Sequence, residues 1–129
     1  LTSDEERKDH AVIAGYIEGV DNIVEELKEN YSEVVVVDKD PEVEDKIENF
    51  EFGDFHHRDL RRKLGVDNAE FIMVNFEDES LIKEIKGETG EDCLILANLE
   101  EEIEGVKTYY EDQLLAENLK KHVKRIEKL

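Results

Sequence analysis

Asp54, Glu77 and Glu79 are acids that follow the short apolar runs 50–52 and 71–74, where a chain would leave a strand. Carboxylates brought to one rim suit a hard cation such as Ca2+, which takes about six to eight oxygen ligands. Acids make up 36 of the 129 residues, so spacing alone does not single these three out. A second chemistry is nucleotide binding. Gly15 closes the apolar run 10–14, and Asp38 closes a run of four valines 23 residues after it. In dinucleotide-binding folds an acid at that place accepts the ribose hydroxyls. The fingerprint G-x-G-x-x-G would put glycines at 17 and 20, where Ile17 and Val20 stand. A β-branched side chain there obstructs the close approach of backbone to a pyrophosphate, and Glu18 and Asp21 add negative charge beside it. A ligand at this rim would face Gly15, Tyr16, Asp38, Lys39 and Asp54. A divalent cation suits these surroundings better than NAD(H) or an adenine nucleotide.

Nothing marks a nucleophile, and no Ser-His-Asp or Cys-His arrangement can be assembled, so the chain does not read as an enzyme. His56 and His57 are adjacent, so only one of them can point into the rim. As a metal ligand it would need His10 or a carboxylate beside it.

The elements that must position these residues follow from hydrophobic period. The stretch 10–15 reads as a buried strand, and Val20, Ile23, Val24 and Leu27 mark an amphipathic helix over about 19–30. Four consecutive valines within 32–38 predict a strand covered on both faces, as in parallel sheets. Asp40-Pro41 is an N-cap followed by proline at the first helical position, opening a helix to about Asn49. A brief strand is expected at 50–52, a charged helix over 57–64 stopped by Gly65, and a strand at 70–75. A helix over 78–86 ended by Gly87 and Gly90, a strand at 92–97, a helical turn at 99–104 and a sixth strand at 106–109 complete the pattern. From about 111, Leu115, Leu119, Val123, Ile126 and Leu129 fall on one stripe of a long amphipathic helix. The reading is α/β: a Rossmann-like three-layer fold with a parallel sheet of about six strands and that C-terminal helix. Residues 1–9 read as a polar tail, and 10–129 as one domain.

Charge narrows the partners. The formal net charge is −19. Nucleic acid and anionic membrane surfaces both demand a basic footprint, and this chain lacks one. Spread acids keep a protein soluble, and gathered acids hold cations; the sequence holds both arrangements. Cys93 is the one cysteine. It sits in an apolar run, reads as a buried thiol and fits a reducing cytoplasm. The chain begins with Leu1 and reads as a fragment of a longer polypeptide.

The pattern H-A-V-I-A-G-Y, then V-V-V-V-D-K-D-P, then G-D, then D-L-R-R-K-L-G-V-D-N-A-E-F-I-M-V resembles the TrkA-N or RCK N-terminal domain over about 9–120. The resemblance implies a cytosolic ligand-sensing domain that gates a potassium channel or potassium transporter. Such domains pair, or form rings, through helices near the domain's end. Closest is the calcium-gated branch, whose glycine loop is also degenerate. By position, that branch implies Asp54, Glu77 and Glu79 as metal ligands. Other readings of the same fold are a regulatory module of a hydrolase or phosphoesterase and, in a different class, an NAD-dependent oxidoreductase. The stripe carries the first prediction: Leu119→Asp places a charge in the expected dimer contact and yields monomers by light scattering, whereas an unchanged mass would count against that contact.

Overall fold

The computed structural model describes residues 9–109 and Val123. Six strands form one wholly parallel sheet: His10–Ala14 (β1), Glu33–Asp38 (β2), Phe50–Phe52 (β3), Phe71–Val74 (β4), Leu94–Asn98 (β5) and Lys107–Tyr109 (β6). Their order is β3-β2-β1-β4-β5-β6. The order reverses between β1 and β4, where a doubly wound sheet opens a crevice beyond its carboxyl ends.

Helix Val20–Leu27 (α1) covers one face of the sheet, and Arg58–Lys63 (α2) and Glu79–Glu88 (α3) serve the other. Two cores result. Val12, Val35, Val37, Ile72 and Ile95 pack under Leu64, Leu81, Ile82 and Ile85. Ala11, Ile13, Val34, Val36 and Met73 pack under Val20, Ile23, Val24 and Leu27. Consecutive valines of β2 point to opposite faces, and all four are buried. Each contributes about 1.5–3 kcal/mol by leaving water. This is why the run does not alternate.

Several boundaries move, for local reasons. Asp40 caps as expected, accepting from the Glu42 amide at 3.0 Å, but the element is a 3-10 turn, Pro41–Asp45, that buries only Val43. Gly87 does not stop α3, which runs on to Glu88; a glycine inside a helix weakens it by about 1 kcal/mol and does not break it. Gly65 does end α2, in a left-handed conformation with φ 70°. Residues 99–104 bend and do not form a helical turn. The Leu99 amide donates back to Tyr109 O at 3.0 Å, and Ile103 is the one apolar side chain that the acidic run after Leu99 has to bury. Asp9, expected in the tail, is held to the fold by Ser32, whose amide and hydroxyl donate to its carbonyl at 3.1 and 3.0 Å. The rest of the tail lies outside the described residues.

The expected helix from about 111 also lies outside them, Val123 excepted. Val123 is helical and fully buried in this chain's own core on the α1 side. That corrects its expected place among dimer contacts. Cys93 is buried as expected, and burial pushes its thiol up to about 12.

The charged helices are tied by one buried cation. Arg61 is 1% exposed. It donates Nε and Nη2 to the two oxygens of Glu88 at 2.8 Å each, and Nη1 to the Phe55 carbonyl at 2.8 Å. The fork holds α2 against α3, and its hydrogen bonds hold Glu88 below the ordinary carboxylate value of 4.5. A depressed carboxylate stabilises above its unfolded pKa, and that contribution is lost as pH falls through the folded value. Arg61→Ala therefore lowers the unfolding free energy at neutral pH by about 3 kcal/mol. The loss shrinks once acid protonates Glu88, and urea unfolding at both pH values reads it.

Candidate functional site

Parallel register brings the strand ends level. Ala14 pairs with Val37 on one side and Val74 on the other, so Gly15, Asp38 and Asn75 leave the sheet together. Gly15 needs to be glycine. Its φ is +94°, and a Cβ there would lie 3.2 Å from the Phe76 ring. Its carbonyl accepts from Asn75 Nδ2 at 2.8 Å. Asn75 Oδ1 in turn accepts from the Tyr109 hydroxyl, and its carbonyl from Asn98 Nδ2 at 3.2 Å. These buried polar groups satisfy one another and fix the loop after β1.

Asp38 fixes the same loop from the other side. One carboxylate oxygen accepts the Tyr16 amide at 2.7 Å and the other the Asp40 amide at 2.8 Å. The Tyr16 N–H, a loop donor that could serve a phosphate, is thereby turned to Asp38. Val20 is fully buried in the core beneath α1, and Ile17 packs against that core. One fingerprint position has become core and the other a half-buried contact against it. Lys46, after the 3-10 turn, lies over the Tyr16 ring at 5.2 Å.

Beside this closed loop is a hollow of about 310 Å3. Its walls include Gly15, Asp38, Lys39, Asp54, His56, Phe76, Glu77 and Asp78. Of the residues expected to face a cofactor, Gly15, Asp38, Lys39 and Asp54 line it; Tyr16 lies beside it, through its bond to Asp38. Of the expected metal ligands, Asp54 and Glu77 share the hollow and Glu79 does not. Glu79 is exposed in the first turn of α3 and pairs with Lys83 at 3.1 Å. Asp78 takes the inner place because it caps that helix, accepting the Leu81 amide at 3.0 Å.

The sequence did not single out the residue at the centre of the hollow. His56 bridges two carboxylates from different elements, Nδ1 to Asp54 Oδ1 at 2.8 Å and Nε2 to Asp78 Oδ2 at 2.7 Å. Its ring stacks on Phe76, centroids 5.3 Å apart and planes 27° apart. Ionised carboxylates only accept, so this pairing favours the ring with a proton on each nitrogen. Hydrogen bonds to Asp54 and then Asp78 raise His56 above its ordinary 6.5. The His56 amide and then its ring lower Asp54. The Leu81 amide and then the His56 ring lower Asp78. His10, at the other end of β1, is buried with Nε2 2.9 Å from Leu64 O and takes no part. Among the described residues no three His, Cys, Asp or Glu side chains are arranged to hold a metal ion, and no helix is long and apolar enough to cross a membrane.

Comparison with known proteins agrees with the fold. The sequence model of the TrkA-N domain matches residues 11–102. No curated protein matches the chain. Among solved structures, the chain is similar to the TrkA-N domain of inner membrane protein ybaL from Escherichia coli, at a TM-score of 0.60 and 12% identity, covering 92% of this chain and 93% of that one. It is similar to the GsuK channel bound to NAD, at 0.57 and 20%, covering 70% of this chain and 18% of that one. Carbon monoxide dehydrogenase IV from Carboxydothermus hydrogenoformans follows at 0.58 and 12%, covering 93% of this chain and 21% of that one. Two of the three are thus far longer proteins, and at these identities the likeness is one of fold.

The bridge sets a pH signature. A raised histidine stabilises below its unfolded value of 6.5 and loses that contribution as pH rises through the folded value; the lowered aspartates stabilise above 3.8 and lose theirs as pH falls. The bridge is therefore at full strength between those two values. NMR titration should place the His56 midpoint above 6.5, and Asp54→Asn should bring it down; a midpoint at or below the ordinary value would contradict the bridge.

Proposed function

This chain belongs to the TrkA-N domain family, and from that membership we propose that it is the ligand-sensing regulatory domain of a potassium channel or potassium transporter, and not an enzyme. The carrying observation is the strand-end hollow, lined by Asp54 from the loop after β3 and by Glu77 and Asp78 from the loop after β4. The similarity to a channel and to a domain of an inner membrane protein supports the same reading. Its place is the cytoplasm, joined to a pore or transporter subunit and paired with a second copy near the domain's end.

The ligand class that suits the hollow is a divalent cation such as Ca2+. Carboxylates are the donors that hard cations select, and among the described residues Lys39 and His56 are the basic side chains in the lining. Of the expected ligands, the hollow gathers Asp54 and Glu77, so an ion held there would take most of its oxygen ligands from water. A bound cation would supply positive charge shared between the loop after β3 and the start of α3. Asp54 and Asp78 belong to those two segments, so any change in what they hold alters how the segments sit against each other. Gating then moves only by the ligand's differential affinity for the two states, typically about 1–3 kcal/mol per site.

A nucleotide is the second reading, favoured by the place of Asp38 at the end of β2. Against it stand Val20 in the core, Ile17 packed against it, and both Asp38 oxygens engaged by backbone amides.

Ca2+ added at a hundredfold excess over its Kd is expected to stabilise the protein by about 2.7 kcal/mol, read as a rise in melting temperature. Asp54→Asn should abolish that rise. A chain indifferent to Ca2+, or a rise that survives in Asp54→Asn, would sink the cation reading.

A further inference from the structure

One peptide group at the rim is gripped at both ends. The Gly15 carbonyl, on the wall of the hollow, accepts from Asn75 Nδ2 at 2.8 Å, and the Tyr16 N–H that follows it donates to Asp38 at 2.7 Å. Asn75 has a second hold, because its Oδ1 accepts from the Tyr109 hydroxyl. Asn75 is 4% exposed and Tyr109 5%, so water does not stand in for either partner. Phe76, next in the chain, is another wall of the hollow and stacks on His56. We infer that the Asn75 side chain is a relay: it ties the Gly15 wall of the hollow to Tyr109, so that a change at that wall reaches the end of β6. The inference rests on the regulatory reading above and deepens it by naming the residues through which the hollow acts on the rest of the chain. It does not depend on the charge of the ligand.

The chemistry of a primary amide makes the two contacts depend on each other. Gly15 offers a carbonyl oxygen, so Nδ2 has to face it, and Oδ1 is left to take the hydroxyl. With the hydroxyl gone, Oδ1 stays buried without a donor, a state whose cost favours turning the side chain and releasing Gly15. The Asn75 backbone does not follow, because its amide donates to Ala14 O at 2.9 Å and its carbonyl accepts from Asn98 Nδ2 at 3.2 Å. Movement is thus left to the side chain that joins the two ends. Beyond the hydroxyl, the Tyr109 ring lies in the α1-side core, which also takes in Val123. A displacement at Gly15 therefore arrives where a residue of the C-terminal stretch joins the sheet.

The test is amide hydrogen exchange followed by NMR in the wild-type chain, Tyr109→Phe, Asn75→Ala and the double variant, each checked for folding by circular dichroism. The relay predicts that Tyr109→Phe speeds exchange of the Tyr16 amide about tenfold, the size expected for the loss of one buried hydrogen bond. The amides of Val36 and Ile72, central in the sheet, keep their rates. Asn75→Ala speeds Tyr16 at least as much, and adding Tyr109→Phe to it changes nothing further. An even rise over the whole sheet, an unchanged Tyr16 amide, or effects that add in the double variant would overturn the relay. Should Asn75→Ala fail to fold, His56→Ala decides from the other end. Loss of the ring stacked on Phe76 should move the Tyr109 ring resonances and leave those of Tyr31 in place, and Tyr109 resonances that stay put would overturn the relay. These measurements use no ligand, so failure of the relay leaves the regulatory reading to the melting experiment, and failure there leaves the relay standing.

Discussion

Asp38 holds the backbone amides of Tyr16 and Asp40, one on each carboxylate oxygen, and the rest of the rim is arranged around that grip. Charge-assisted hydrogen bonds of this kind are about twice as strong as neutral ones. The loop after β1 is drawn towards β2, and of the following side chains Val20 enters the core and Ile17 packs half-buried against it. Asn75 secures the same loop from the β4 side through the Gly15 carbonyl. What an ordinary dinucleotide site would offer a ligand, a free amide and a free acid, is here satisfied within the chain. The open space moves sideways, towards the loops after β3 and β4, and there the groups on offer are carboxylates and one histidine.

That arrangement makes the hollow a meeting point of separate elements. Asp54 reports the position of the loop before α2, and Asp78 that of the α3 N-terminus. Arg61 joins α2 and α3 further along through Glu88. Asn75 connects the loop after β1 to Tyr109 on β6, with Asn98 of β5 on its carbonyl. A change in the partners of Asp54 and Asp78 therefore acts on the two segments that lead into α2 and α3, which Arg61 and Glu88 also join. This gives a regulatory reading physical content, because coupling needs a group with two arrangements and a path of contacts leading from it.

Much of this was legible in the residues. The unbroken valines of β2 announced a sheet covered on both faces, Asp40-Pro41 announced the cap though not that a 3-10 turn would replace the expected helix to about Asn49, and Asp38 stood where the second strand had to end. The broken glycine pattern announced an altered loop, and the helical spacing of Val20 with Ile23, Val24 and Leu27 announced its burial. The centre of the site was not legible. Two adjacent histidines say only that one of them can face the rim, and the partner that decides it, Asp78, lies 22 residues away. Nor does the run of acids after β4 say which one faces inward. That is settled by where α3 starts: the cap falls on Asp78, and Glu79 turns out to Lys83. The link from Asn75 to Tyr109 spans 34 residues and joins two polar groups buried at strand ends. No local pattern encodes it.

The central claim is that the loop after β1 and Asp38 satisfy each other and leave no cradle for a dinucleotide. Titrating NADH into the protein and following its fluorescence tests this most directly. The account predicts a linear signal with no saturable binding. Saturation at micromolar NADH, lost when Asp38 is changed to alanine, would contradict it.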